Sequence, residues 1–276
     1  MKRYPTALTI AGSDSGGCAG IQADLKTFSA TGVFGASVIT SVTAQNTREV
    51  RAVEILSPHI VRQQLETVLD DFTIDAVKTG MLPSPEIIET VASVIDRYKL
   101  RTVIVDPVMV ATSGARLTPA STADAFQRHL FHRITLITPN IPEAEALSGV
   151  KIRSEKEIRQ AAEVLLGRGC KAVLIKGGHL SSAYSADMLF RLEKEPLSFT
   201  SPRIDSVNLH GTGCTLSSAI AAYMALDEDL ETAVQSAKRY ISRAIAAGAD
   251  VTTGTGHGPV NHFFEPQVLK TKEYDY

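Results

Sequence analysis

Apolar residues along this chain fall into two rhythms that take turns. Short β-branched runs at Ala7–Ala11, Ser37–Val42, Ala76–Lys78, Thr102–Val105, Leu136–Thr138 and Ala172–Ile175 read as strands. Longer stretches with a period of about 3.6 residues lie between them. They open on start signals: Ser57-Pro58 before Ile60–Leu69, Ser84-Pro85 before Ile87–Tyr98, and Ser154 before Ile158–Leu166. A serine there accepts from the unpaired N–H groups of the first turn, and a proline at the first helical position forfeits no bond. The alternation predicts βαβ units, and so an α/β fold whose mostly parallel sheet carries helices on both faces. Arg48–Leu56 and Asp187–Thr200 break the rhythm and read as a small β flap and an antiparallel edge. No long linker, low-complexity tract or repeat interrupts the pattern, so a single domain over residues 1–276 is expected.

Composition narrows the function classes. The 276 residues are 44% apolar, enough for one large core. With 28 basic and 30 acidic residues, no basic run and no tryptophan, the chain lacks the basic face of a nucleic-acid binder. Three scattered cysteines (Cys18, Cys170, Cys214) with no CxxC pair argue against a disulfide framework or a zinc site, and for a reducing cytoplasm. The opening Met1-Lys-Arg-Tyr-Pro meets polar Ser13-Asp14-Ser15 too early for a signal peptide, and no apolar run is long enough to span a membrane.

Candidate chemistry gathers at the strand ends. The series Gly12-Ser-Asp14, Thr43-Ala-Gln45-Asn46, Lys78-Thr-Gly80, Asp106-Pro107, Thr138-Pro-Asn140 and Lys176-Gly-Gly178 puts polar residues beside Gly or Pro after nearly every strand. Open α/β sheets hold ligands at this edge, which therefore reads as an active-site rim. His210-Gly-Thr-Gly-Cys-Thr-Leu-Ser-Ser-Ala reads as a glycine turn entering a helix. Gly211 and Gly213 let amide N–H groups converge, and the helix adds further donors and a positive dipole end, so the turn suits an anion. Cys214 at that terminus is expected to carry a depressed pKa, as a base or nucleophile; the plainer reading is an ordinary buried cysteine at a helix entry. No GxxxxGK[ST] occurs, and the first glycine loop, Gly12 to Gly20, has the wrong spacing for GxGxxG. Its Asp14 and Asp24 would repel a pyrophosphate and suit a neutral polar substrate.

In unbroken order from about Ala7 to His257, eight segments resemble the hydroxymethylpyrimidine/phosphomethylpyrimidine kinases of thiamine biosynthesis, within the ribokinase-like superfamily. They are Gly12-Ser-Asp-Ser-Gly-Gly, Gly20-Ile-Gln-Ala-Asp-Leu-Lys26, Ala44-Gln-Asn-Thr47, Lys78-Thr-Gly-Met81, Asp106-Pro-Val-Met109, Thr138-Pro-Asn-Ile-Pro-Glu143, Lys176-Gly-Gly-His179 and His210-Gly-Thr-Gly-Cys-Thr215. The resemblance implies a three-layer α/β/α fold, ATP and Mg²⁺, and two successive phosphoryl transfers, with a homodimer as the family expectation. It makes Gly211, Thr212, Gly213 and Cys214 the catalytic anion hole, with Cys214 where related kinases carry an aspartate base. Gly12, Asp24, Gln45, Met81 and Val108 fall on substrate positions. Asn140, Glu143, Lys176 and Asp187 fall on nucleotide positions, with Glu143 the metal organiser. Cys18 departs from the expected glycine and puts a larger side chain beside the substrate loop. His210 is left to packing or hydrogen bonding, and the other histidines are read as structural or surface residues. Two alternatives stay open: a pyridoxal or pyridoxine kinase, and a catalytically silent sensor of a pyrimidine or nucleotide.

Overall fold

A computed structural model describes residues 1–109, 121–177 and 183–273. Gly178 and His179 of the Lys176-Gly-Gly-His179 segment lie outside them. The sheet strands are β2 (Thr6–Asp14), β3 (Phe34–Gln45), β4 (Val50–Ile55), β5 (Ala76–Thr79), β6 (Val103–Val105), β7 (Leu136–Ile137), β8 (Ala172–Lys176), β9 (Tyr184–Arg191) and β10 (Lys194–Pro202). They lie side by side in the order β10-β9-β8-β7-β6-β5-β2-β3-β4. From β8 to β3 every neighbouring pair is parallel. The flap strand β4 pairs antiparallel with β3, and β9 and β10 form an antiparallel hairpin on β8, as the two breaks in the sequence rhythm anticipate. A separate short ribbon joins β1 (Lys2–Arg3) to β11 (Lys272–Glu273).

Alternate side chains along the parallel strands feed two apolar layers. Leu8, Ile10, Val77, Val105 and Ile175 pack under α2 (Pro58–Leu69), α3 (Pro85–Arg97), α4 (Ser121–Ala125), α5 (Ile141–Ser148) and α6 (Glu155–Gly167). Ala7, Ala76, Ile104, Leu136 and Leu174 pack under α1 (Gly20–Ala30), α7 (Thr212–Ala225) and α8 (Leu230–Gly248). This is the three-layer α/β/α arrangement. Ser57 and Ser84 accept the N–H groups of Ile60 and Ile87, closing the first turns of α2 and α3. Ser154 occupies the cap position of α6 with no such bond. No helix among the described residues is long and apolar enough to cross a membrane.

The chain runs from β2 outward to β3 and then returns to the far side of β2 with β5. That reversal splays the loops after β2 and β5 apart, and a crevice opens at the carboxyl edge.

Candidate active site

The crevice is a cavity of about 830 Å³. Its walls include Gly12, Gln45, Met81 and Val108 toward β2 and β3, and Asn140, Glu143, Lys176 and Asp187 toward β7 and β9. Gly211, Thr212, Gly213 and Cys214 line it between the two ends. Twelve of the thirteen residues read from the sequence therefore face one space.

Asp24 is the exception, and its expected role as a ring contact is corrected. It lies fully buried behind the cavity wall on α1, 2.8 Å from the Nζ of Lys78, itself fully buried on β5. Thr9 Oγ1 donates to its carboxylate at 2.5 Å and Ser218 Oγ on α7 also donates to it. Burial works to lower the Lys78 pKa, but the carboxylates of Asp24 and Asp106 more than offset it, so the ammonium stays charged. A desolvated pair survives only with its remaining bonds filled, which Thr9 and Ser218 do.

The Cys214 expectation is also corrected. Burial pushes its thiol up to about 11; Lys78 works against this, and Asp24 and Asp106 reinforce it. The Gly20 N–H, at the start of α1, points to the sulfur and eases the rise. Helix-terminus stabilisation is thus outweighed by desolvation and two neighbouring carboxylates.

The turn itself is held by close approach. Gly211 takes φ +85°, and a Cβ there would sit 1.9 Å from the carbonyl oxygen of Cys18. Opposite it stand two charges. Lys176 Nζ lies 2.8 Å from Asp106 Oδ1, and a Cβ on Gly213 would be 3.4 Å from that ammonium. Burial would raise the Asp106 pKa, but Lys176 and Lys78 hold it below the usual carboxylate value.

Asn140 caps α5: its side chain accepts the Glu143 N–H, and Glu143 Oε2 accepts the Asn140 N–H, both at 2.9 Å. This reciprocal box aims the Glu143 carboxylate into the cavity. Burial pushes its pKa up to about 7 against the pull of Lys176. Farther along, Asp187 accepts from Lys238 of α8 at 2.7 Å.

At the other end Gln45 Nε2 lies 2.7 Å from His210 Nε2, and Thr43 Oγ1 lies 3.4 Å from Gln45 Oε1. Asp14 gathers the first glycine loop by accepting N–H groups from Gly16, Cys18 and Ala19 at 2.8–2.9 Å. Cys18 is buried and does not form part of the cavity wall, with its Sγ donating to the Gly16 carbonyl oxygen at 3.5 Å, so it does not crowd the substrate loop.

Sequence reasoning missed Asp106 as the partner of Lys176, His210 as the neighbour of Gln45, and Lys238. Asp106 stood at a strand end in the rim series, which was a usable signal. Lys238 stands among Ala233, Val234, Ala237 and Ile241 on the buried stripe of α8. A lysine inside an apolar helical stripe marks a buried partner. The His210 contact joins β3 to the turn before α7 and has no local signature.

The family model for phosphomethylpyrimidine kinase matches residues 14–261. The chain belongs to that family. Over 264 residues it is 48% identical to the hydroxymethylpyrimidine/phosphomethylpyrimidine kinase of Escherichia coli, covering 95% of this chain and 98% of that one. It is also 48% identical over 267 residues to the thiamine biosynthesis bifunctional protein ThiED of Geobacter sulfurreducens, covering 97% of this chain and 54% of that protein. The chain thus spans about half the length of the bifunctional relatives it matches. Among solved structures, the pyridoxal kinase of Staphylococcus aureus in complex with AMP-PCP and pyridoxal superposes with a TM-score of 0.87 at 31% identity, covering 99% of this chain and 100% of that one.

Proposed function

We propose that this protein transfers the γ-phosphoryl group of ATP to the hydroxymethyl oxygen of 4-amino-5-hydroxymethyl-2-methylpyrimidine, and then a second phosphoryl group to the monophosphate, for thiamine biosynthesis. One observation carries the reading: an amide-rich glycine turn, a lysine–carboxylate pair and a neutral amide all line one cavity. The ring rests against Met81 and Val108. The Gln45 amide offers a donor beside an acceptor, which matches an aminopyrimidine edge. Pyridoxal lacks the exocyclic amine and would leave that amide partly unpaired, at a cost of about 1–3 kcal/mol.

Lys176 and the N–H groups of the turn stabilise charge on the transferring oxygens. As the new O–P bond forms and ADP departs with the electrons of the old one, the hydroxyl proton passes to the Cys214 sulfur, in the minor fraction of the protein that carries it as thiolate. The transition state is loose, so that proton is needed only late. Glu143 fits the ATP-bound Mg²⁺: burial leaves its carboxylate short of positive charge, and Asn140 beside it adds an oxygen donor. Bound there, the cation would neutralise phosphate charge.

Mass spectrometry of the protein with ATP, Mg²⁺ and the hydroxymethylpyrimidine tests the reading. Mono- and diphosphate products are expected; a folded protein that yields neither overturns it. The likeness to the Staphylococcus aureus enzyme favours a second reading, pyridoxal phosphorylation. The pyrimidine is expected to lead in kcat/KM by about tenfold to a hundredfold, from the unpaired-amide cost, and Gln45→Met to erase that lead. Faster turnover of pyridoxal by the native enzyme would overturn the pyrimidine assignment.

A further inference from the structure

Asp14, Cys18 and His210 bring a carboxylate oxygen, a thiol sulfur and an imidazole nitrogen within 4.8 Å of one another, and all three residues are buried. Sequence spacing hides the trio, because His210 arrives from the turn before α7. The backbone sets its geometry. Asp14 is fixed by three N–H donors, and the Cys18 carbonyl sits where Gly211 has no side chain, which locks the two loops together. His210 Nε2 already stands 3.5 Å from Asp14 Oδ2, and both residues line the cavity, which gives an entry path.

We propose that this trio binds a thiophilic divalent cation of the zinc type, and that its occupation shuts the pyrimidine end of the cavity. A thiolate, an imidazole and a carboxylate form a donor set that suits zinc, with the fourth position open to water from the cavity. Magnesium prefers oxygen donors throughout and does not compete here. Binding forms a metal–sulfur bond, and the Cys18 thiol gives its proton to solvent, one proton per cation with no change of oxidation state. Affinity therefore rises with pH. To coordinate through Nε2, His210 must leave the Gln45 amide that now lies 2.7 Å away. Gln45 then loses the partner that holds its amide in place for the ring, so cation and pyrimidine oppose each other, whereas the nucleotide end is untouched. The inhibition rests on the function proposed above; the binding does not.

Cobalt(II) serves as the optical probe, with Zn²⁺ as competitor, on the intact protein. A thiolate-to-cobalt charge-transfer band with tetrahedral visible bands is expected, lost on adding Zn²⁺. Cys18 lies outside the cavity wall, so Cys18→Ala is expected to keep native turnover. The same variant should weaken cobalt affinity by about a hundredfold or more, since even an outer partner is worth 10–100-fold. Zn²⁺ is expected to inhibit the native enzyme competitively against the pyrimidine and to leave Cys18→Ala uninhibited. A band that survives in Cys18→Ala would place the cation on Cys214, and no band at millimolar cobalt would remove the site; either overturns the proposal. Cys18-dependent cobalt binding in a protein without kinase activity would uphold the site and sink the function.

Discussion

The two proposed phosphoryl transfers make different demands on Cys214, and the difference can be measured. The first acceptor is an alcohol, whose proton must leave. The second is a phosphate monoester whose last proton is already lost near pKa ~6, so its oxygens need no base. With the thiol pushed up to about 11, about one site in three thousand carries thiolate at pH 7.5 in the ligand-free protein. Replacing Cys214 with alanine leaves the turn amides, Lys176 and Asp106 in place. A missing general base costs about 10²–10⁴ in rate, so kcat on the alcohol should fall by that factor. Turnover of the synthetic monophosphate should change by less than about tenfold, the residue of altered packing. Native kcat on the alcohol should also climb from pH 7 to 9, and the variant's profile should flatten. Single-turnover assays with radiolabelled ATP on each acceptor read both steps separately. Equal losses on the two acceptors, with no change in pH profile, would refute the base assignment and leave catalysis to the amides and charges.

Two further outcomes concern stability and charge. Asp24→Asn strands a fully buried ammonium on Lys78 and should cost about 3–5 kcal/mol. With an unfolding entropy of about 0.6 kcal/mol per kelvin for a chain of this length, Tm should drop by about 5–9 °C in calorimetry. Asp24→Leu combined with Lys78→Met should recover most of it, and a single-variant loss under about 1 °C would contradict the desolvated pair. Glu143 has a folded pKa raised from 4.5 to about 7, so its contribution is fully present below pH 4.5 and is lost as pH rises through 7. The native protein should therefore lose thermal stability relative to Glu143→Gln between pH 5 and 7.5 without ligand; parallel curves would contradict the burial argument.

Local signals carried most of the fold. β2 to β8 were legible from β-branched runs, and α2 and α3 from their Ser-Pro entries, because both depend on neighbours in sequence. α8 went unread: its helix is alanine-rich, and its one distinctive residue on the buried stripe, Lys238, makes sense only beside Asp187. At the site, the strand-end polar residues were visible as a series, so most wall residues were found. The errors came where tertiary burial decides. Asp24 reads like a loop carboxylate until Thr9, Lys78 and Ser218 close around it. Cys214 reads as an activated thiol until desolvation and the carboxylates of Asp24 and Asp106 are counted.

The contact between Gly211 and the Cys18 carbonyl also bears on how this scaffold can be re-engineered. With no room for a Cβ at that point, position 211 is closed to every side chain, and a library randomised there would return chiefly unfolded clones. Met81, just after β5, and Val108, just after β6, line the cavity from other strands. Diversity aimed at new acceptors belongs at those wall positions, where variation trims the pocket without prising apart the two loops that frame it.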